Sequence, residues 1–160
     1  MLTVILPTLQ QTQALGRIIG EQASPGQVVL LTGGLGAGKT TLTQAIGRGL
    51  AVDEQHYITS PTFSIIHEYP GRIPLYHMDF YRIVDEVELV ELGIEEYLYG
   101  NGFAVIEWPE RLGTLTPVER LEIKLDITGE TSRTATLTAT GPGWQPILTT
   151  VADNLTIDGL

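Results

Sequence analysis

Gly33-Gly34-Leu35-Gly36-Ala37-Gly38-Lys39-Thr40 stands directly after the apolar run Val28-Val29-Leu30-Leu31 and directly before a helix-prone segment that begins at Thr40. The octet fits G-x-x-x-x-G-K-[ST], and its setting of strand, glycine-rich turn and helix is the one its chemistry needs. Backbone N–H groups and the positive end of a helix must converge on anionic oxygens. Glycines supply positive φ and close backbone approach; Lys39 would reach the outer phosphates and the Thr40 hydroxyl would ligate Mg²⁺. The stretch therefore predicts an α/β fold organised around a nucleoside triphosphate.

Composition narrows the rest. At 160 residues and 42% hydrophobic content, the chain can close one sizeable core, and no second domain is evident. No run approaches the roughly 20 apolar residues of a membrane span, and Met1 to Gln13 lacks a basic-then-apolar leader pattern; a cytoplasmic location is expected mainly from the ATP-type motif. With no cysteine, disulfides and thiolate metal sites are excluded. Nine Lys+Arg against nineteen Asp+Glu, a formal charge of −10, disfavour an extended grip on a nucleic-acid backbone. Only two lysines occur, and one of them is Lys39.

Working outward from the loop, Leu9 to Ile19 has helical spacing with Thr8 as a cap and is expected to end near Ser24-Pro25-Gly26. Phe63–Tyr69 and Ile73–Tyr81 read as a hairpin joined by Pro70-Gly71-Arg72, and Asp85–Leu92 and Ile94–Leu98 as two short acidic helices. Phe103–Ile106 is a second buried apolar run, Pro109–Leu112 a helical turn, and Leu121–Ile127 with Arg133–Thr140 an antiparallel pair. These elements place the ATPase-type domain at residues 1–141, with residues 142–160 a tail expected to be partly disordered.

A Mg²⁺·nucleotide site needs a carboxylate at the end of a strand beside the loop. Glu107, closing Phe103-Ala104-Val105-Ile106, and Asp79, closing the run from Ile73, are the two candidates; either could instead be a surface or salt-bridged acid. Ser60-Pro61-Thr62 is either a nucleotide-sensing segment or a plain turn. Arg82 and Arg133 are candidate phosphate-charge stabilisers or ordinary ion-pair members. Trp108 reads as core before it reads as site wall, His67 and His77 as partly buried strand histidines, and His56 as loop. Glu86, Glu88, Glu91, Glu95 and Glu96 form a solvated face or a docking surface for a basic partner. Ile123-Lys124-Leu125-Asp126 lacks the leading Asn or Thr of a guanine signature and Asp79 is not followed by the D-x-x-G glycine, so adenine is expected.

Five blocks in order and spacing, Gly33 to Thr41, Ser60-Pro61-Thr62-Phe63, His77-Met78-Asp79-Phe80-Tyr81-Arg82, Glu88-Leu89-Val90-Glu91-Leu92-Gly93 and Glu107-Trp108-Pro109-Glu110, resemble the bacterial TsaE (YjeE) family. The resemblance runs from about Leu9 to about Gly141. It implies a P-loop NTPase-like three-layer sandwich with a central mixed β-sheet, binding ATP and Mg²⁺ and hydrolysing ATP weakly alone. It further implies partners resembling TsaD and TsaB, with hydrolysis supporting threonylcarbamoyl transfer to adenosine 37 of tRNAs while TsaD performs the transfer. By that resemblance, Gly33, Gly36, Ala37, Gly38, Lys39, Thr40 and Thr41 would cradle the phosphates. Thr40 and Glu107 would hold Mg²⁺, and Lys39, Asp79 and Glu107 would serve catalysis. Leu9 and Arg133 would be further nucleotide contacts. The family commonly has Asp where this chain has Gly34, a position that contributes backbone, so nucleotide binding is expected to survive the difference. A small-molecule kinase and a non-catalytic nucleotide-dependent binding module are the rival readings.

Overall fold

The computed structural model describes residues 1–159. Two apolar runs that are buried on both faces, β2 (Val28–Gly33) and β5 (Phe103–Glu107), lie side by side and parallel at the centre of one eight-stranded sheet. Continuous apolar sequence marks a strand covered by helices on both sides, and these two are. Across the sheet the order is β3 (Ile66–Tyr69), β4 (Leu75–Asp79), β5, β2, β6 (Arg120–Ile127), β7 (Arg133–Thr140), β1 (Leu2–Leu6) and β8 (Thr156–Ile157). β4, β5, β2 and β6 run parallel, whereas β3/β4, β6/β7, β7/β1 and β1/β8 pair antiparallel.

Helices α1 (Leu9–Glu21), α2 (Lys39–Gly49) and α5 (Gln145–Asn154) accompany the core face that holds Leu15, Ile19, Val29, Leu31, Leu42, Ile46, Val105, Ile147 and Val151. The opposite face holds Leu30, Met78, Ala104 and Ile106 under α3 (Glu86–Glu91), α4 (Ile94–Leu98) and the 3-10 segment Pro109–Leu115. This is the three-layer mixed α/β arrangement that the sequence predicts. Asp85 caps α3 by accepting from the Glu88 N–H at 3.2 Å, as the sequence predicts. Thr8 stands at the start of α1 in extended conformation, but its hydroxyl makes no capping bond, and α1 ends at Glu21, before the Ser24-Pro25-Gly26 turn.

α1 and α2 cross closely because glycines face each other. A Cβ on Gly16 would lie 2.8 Å from the Leu42 carbonyl oxygen, and one on Gly49 would lie 2.8 Å from the Gly20 Cα. The helix that follows the glycine loop is thereby seated on α1 at backbone distance.

Two elements depart from expectation. Residues 2–6 form strand β1, which sequence reading passed over, and within the segment expected to be partly disordered residues 142–157 carry regular structure. Pro142–Trp144 makes a 3-10 turn, α5 follows, and β8 pairs with β1. The reason is apolar spacing hidden in a Pro-, Gly- and Thr-rich stretch: Trp144, Ile147 and Val151 are buried in the main core, with Trp144 edge-on to Phe103. Among the described residues, no helix is long and apolar enough to cross a membrane.

Candidate functional site at the glycine loop

The carboxyl ends of β2, β4 and β5 lie together at one edge of the sheet, on either side of the point where the chain leaves β2 for strands on both flanks. That crevice is where open α/β sheets carry ligands. From β2 the chain turns through Gly34 to Gly38 and enters α2 at Lys39, with Gly36 (φ 78°) and Gly38 (φ 103°) in the left-handed region that favours glycine. A Cβ added at Gly34, Gly36 or Gly38 would meet nothing within 4 Å, so the loop's outer surface is an open backbone cup. Gly33 differs: a Cβ there would meet the Leu125 carbonyl oxygen at 2.9 Å, so it serves the packing of the loop against β6.

The cup opens into a cleft of about 480 Å³ lined by Gly34 to Thr41, Ser60, Thr62, Asp79, Glu107 and Trp108. Lys39, Thr40, Thr41, Asp79 and Glu107, which sequence reading places in one site, are thus brought together. Lys39 Nζ curls over the loop and donates to the carbonyls of Gly33 (2.6 Å) and Gly34 (3.3 Å). A second cleft of about 400 Å³ lies on the other side of the same loop, lined by Thr8, Leu9, Gln10, Gly36, Ala37, Gly38, Thr41, Glu130 and Arg133 among others. Leu9 is exposed there.

Asp79 and Glu107 end β4 and β5, are paired in the parallel register, and are both buried. Ser60 Oγ donates between them, 2.9 Å from Asp79 Oδ2 and 3.1 Å from Glu107 Oε2. Thr62 Oγ1 donates to the same Asp79 oxygen at 3.3 Å, and the Tyr81 N–H holds Asp79 Oδ1 at 2.9 Å. Ser60-Pro61-Thr62 is therefore more than a turn: its hydroxyls are tied to the two strand-end acids. Burial pushes the Glu107 carboxyl up, but the hydrogen bond and attraction of His77, the Ser60 hydrogen bond and the Lys39 charge together outweigh it and hold the group below the usual carboxylate range.

The donor set fits a magnesium–triphosphate. The loop offers N–H groups, one ammonium and the hydroxyl residues Thr40 and Thr41, while the far wall offers two carboxylates. No group of three or more His, Cys, Asp or Glu residues among the described residues is arranged to hold a metal unaided. Mg²⁺ commonly takes one or two protein carboxylates and fills its octahedron with phosphate oxygens and water, which this wall permits.

Arg133, a candidate phosphate-charge stabiliser or ion-pair member by sequence, is tied to the glycine loop itself. Its Nε donates to the Ala37 carbonyl at 3.1 Å and Nη2 to the Gly36 carbonyl at 3.0 Å, while Nη1 holds the Gly129 and Ser132 carbonyls. It braces the loop from β7 and lines the second cleft. Arg82 is stacked over the Phe63 ring, 4.3 Å from its centroid, and is absent from both cleft walls. Trp108 is 41% exposed rather than core, because left-handed backbone (φ 55°) after Glu107 turns it out beside Tyr81. His77 is the residue that sequence reading undervalued. It is fully buried with Nε2 3.1 Å from Glu107 Oε2, and the signal was its period-2 spacing from Asp79 on β4, which puts both on the face of Glu107.

The family model described as "Threonylcarbamoyl adenosine biosynthesis protein TsaE" matches residues 6–135. The Bacillus subtilis tRNA threonylcarbamoyladenosine biosynthesis protein TsaE is 43% identical over 133 residues, covering 82% of each chain. The Nostoc protein of the same description is 43% identical over 143 residues, covering 86% of each. The crystal structure of Bacillus subtilis YdiB aligns with TM-score 0.76 at 35% identity, over 95% of this chain and 94% of that one. A sheet, a loop and a set of strand-end acids of this kind, with relatives of this identity over most of their length, have one conclusion: the chain belongs to the TsaE family.

Proposed function

We propose that this protein is an ATPase of tRNA threonylcarbamoyladenosine synthesis, binding ATP·Mg²⁺ at the glycine loop and turning it over in the cytoplasm with partners resembling TsaD and TsaB. The observation that carries the reading is the shared cleft in which an open backbone cup and Lys39 face two buried carboxylates, Asp79 and Glu107. Its chemistry follows from the parts. Phosphoryl transfer demands positioning and charge stabilisation more than covalent participation by the protein. The amides of Gly36 to Thr41 and the N-terminus of α2 would hold the phosphates, and Lys39 would exchange its two carbonyl partners for phosphate oxygens. Thr40 and Glu107 would hold Mg²⁺, which when bound neutralises charge developing on the phosphates. Asp79, already accepting from Ser60, Thr62 and the Tyr81 amide, would orient the attacking water or the Ser60–Thr62 segment around it. The second cleft, with Leu9 and the braced Arg133, would take the base and ribose side of the nucleotide.

The link to the tRNA modification comes from the relatives, which are tRNA threonylcarbamoyladenosine biosynthesis proteins, and the acidity of the chain agrees with it: a subunit of charge −10 would leave the tRNA to its partners. Phosphate release measured with and without TsaD-like and TsaB-like proteins tests the whole reading. Partner-stimulated release supports it; transfer to a small acceptor would instead make this a kinase, and no release under either condition would leave a binding module.

A further inference from the structure

Among the described residues, His77 has no side-chain partner except Glu107. It is completely buried on β4, and its Nε2 meets Glu107 Oε2 at 3.1 Å. The same Oε2 accepts from Ser60 Oγ at 3.1 Å, whereas Oε1 accepts no hydrogen bond among the described residues. The carboxylate is therefore gripped by one oxygen, and Oε1 is left for the cleft that Glu107 lines. With Glu107 ionised, Nε2 carries the hydrogen and donates. Nδ1 is buried and has no partner among the described residues. A ring kept here for packing alone would carry two polar nitrogens into the core at a cost that an aliphatic side chain of similar size avoids. The neighbours across the sheet, His67 on β3 and Val105 on β5, offer no other use for Nε2.

We infer that His77 is a positioning residue: its Nε2–H locks the Glu107 rotamer so that Oε1 is the oxygen presented to nucleotide-bound Mg²⁺. This rests on the ATP·Mg²⁺ reading above. Outer-shell hydrogen bonds of this kind orient a metal-binding carboxylate, and their loss weakens metal affinity while leaving contacts elsewhere on the ligand intact. The nucleotide's metal-independent contacts, through the loop amides and Lys39, do not involve His77.

The experiment measures ATP affinity by calorimetry in EDTA and across a Mg²⁺ titration for the parent, His77→Leu and His77→Gln, with thermal unfolding and steady-state kinetics alongside. Both variants should bind metal-free ATP with parental affinity. His77→Leu should raise the Mg²⁺ concentration for half-maximal effect by about 10-fold and lower kcat with KM for ATP unchanged. His77→Gln, whose side-chain amide restores a donor toward Oε2, should recover most of both. Should His77→Leu unfold far below the parent, His77→Asn, polar but too short to reach Oε2, carries the same expectation. A folded His77→Leu or His77→Asn protein with parental Mg²⁺ dependence overturns the inference, as does a His77→Gln protein equally defective at parental stability. Absence of MgATP binding by the parent itself would overturn the ATP reading, and that is seen before any variant is compared.

Discussion

Glu107 concentrates the chemistry of the site in one side chain. It is buried, yet it is held ionised by His77, Ser60 and the field of Lys39, which together outweigh the desolvation that would protonate it. An anion kept charged in the interior beside an ammonium is prepared for a cation. Glu107→Ala should therefore reduce kcat on the order of 10²-fold, the usual scale for removing one preorganised charge-stabilising group, while ATP affinity without Mg²⁺ stays near parental. Single-turnover phosphate release beside calorimetry in EDTA measures both, and unimpaired release would remove the metal role. At this scale the sequence was legible where a residue's role follows from its neighbours along the chain. Gly36, Gly38, Lys39 and Thr40 could be named from eight consecutive letters, and the two strand-end acids from the apolar runs before them. His77, Trp108 and Arg133 could not be assigned that way. His77 acts on a residue thirty positions on, Trp108 is turned out by a backbone conformation that its letter does not encode, and Arg133 binds carbonyls nearly a hundred residues earlier.

Between elements, two contacts hold the site's walls in place. On one face, α2 is fixed by its glycine crossing with α1: a side chain at Gly20 would strike the Ile46 carbonyl and the Gly49 backbone, with the Gly49 Cα only 2.9 Å from the added Cβ. Gly20→Val should cost about 1–3 kcal/mol or more through overpacking and weaken MgATP binding by displacing the helix that the loop enters. Urea unfolding and calorimetry report the two effects, and parental values in both would show that the crossing has slack. On the other face, Glu86 of α3 accepts from the Thr114 N–H at 2.8 Å and from the Thr114 hydroxyl, tying α3 to the 3-10 segment beyond Trp108. Those bonds, the side-chain one foremost, hold the Glu86 carboxyl below its ordinary value of 4.5. A depressed carboxylate contributes its share of stability above the unfolded value and loses it as pH falls through the folded one. Protection of the Thr114 amide against hydrogen exchange should accordingly be full above the ordinary carboxylate range and be lost as pH falls below it. In Glu86→Ala it should be low throughout, and identical profiles for parent and variant would exclude the tie. Of these elements, the two acidic helices and the Asp85 cap were legible from local signals, whereas the α1–α2 crossing joins glycines whose partners only the folded chain supplies.

Over the whole molecule, the centre of the sheet was plain from sequence and its margin was not. β2 and β5 each open with four consecutive apolar residues because both faces are covered there, and such runs announce themselves. β1 is a short strand whose partners β7 and β8 lie more than a hundred residues away, and α5 carries its buried residues among prolines, glycines and threonines that dilute the pattern. The tail is nonetheless part of the core that supports the loop face of the sheet: Trp144 is 2% exposed and packs on Phe103 of β5, the strand that ends in Glu107. Trp144→Ala should destabilise the protein by about 3–5 kcal/mol, the range for emptying a large aromatic site in a core. Denaturant unfolding checks this, and a loss below about 1 kcal/mol would show that α5 is an ornament on an independent fold.

All of this leaves one claim exposed to a direct test: that the glycine loop, with Lys39 at its mouth, receives the triphosphate of ATP. Titration of MgATP into the folded parent protein and into Lys39→Ala by calorimetry decides it. The account predicts saturable one-to-one heat for the parent and an affinity about 10- to 100-fold lower for the variant, the scale of a lost hydrogen bond to a charged group. No heat from the parent, or equal affinity in the two proteins, would contradict it.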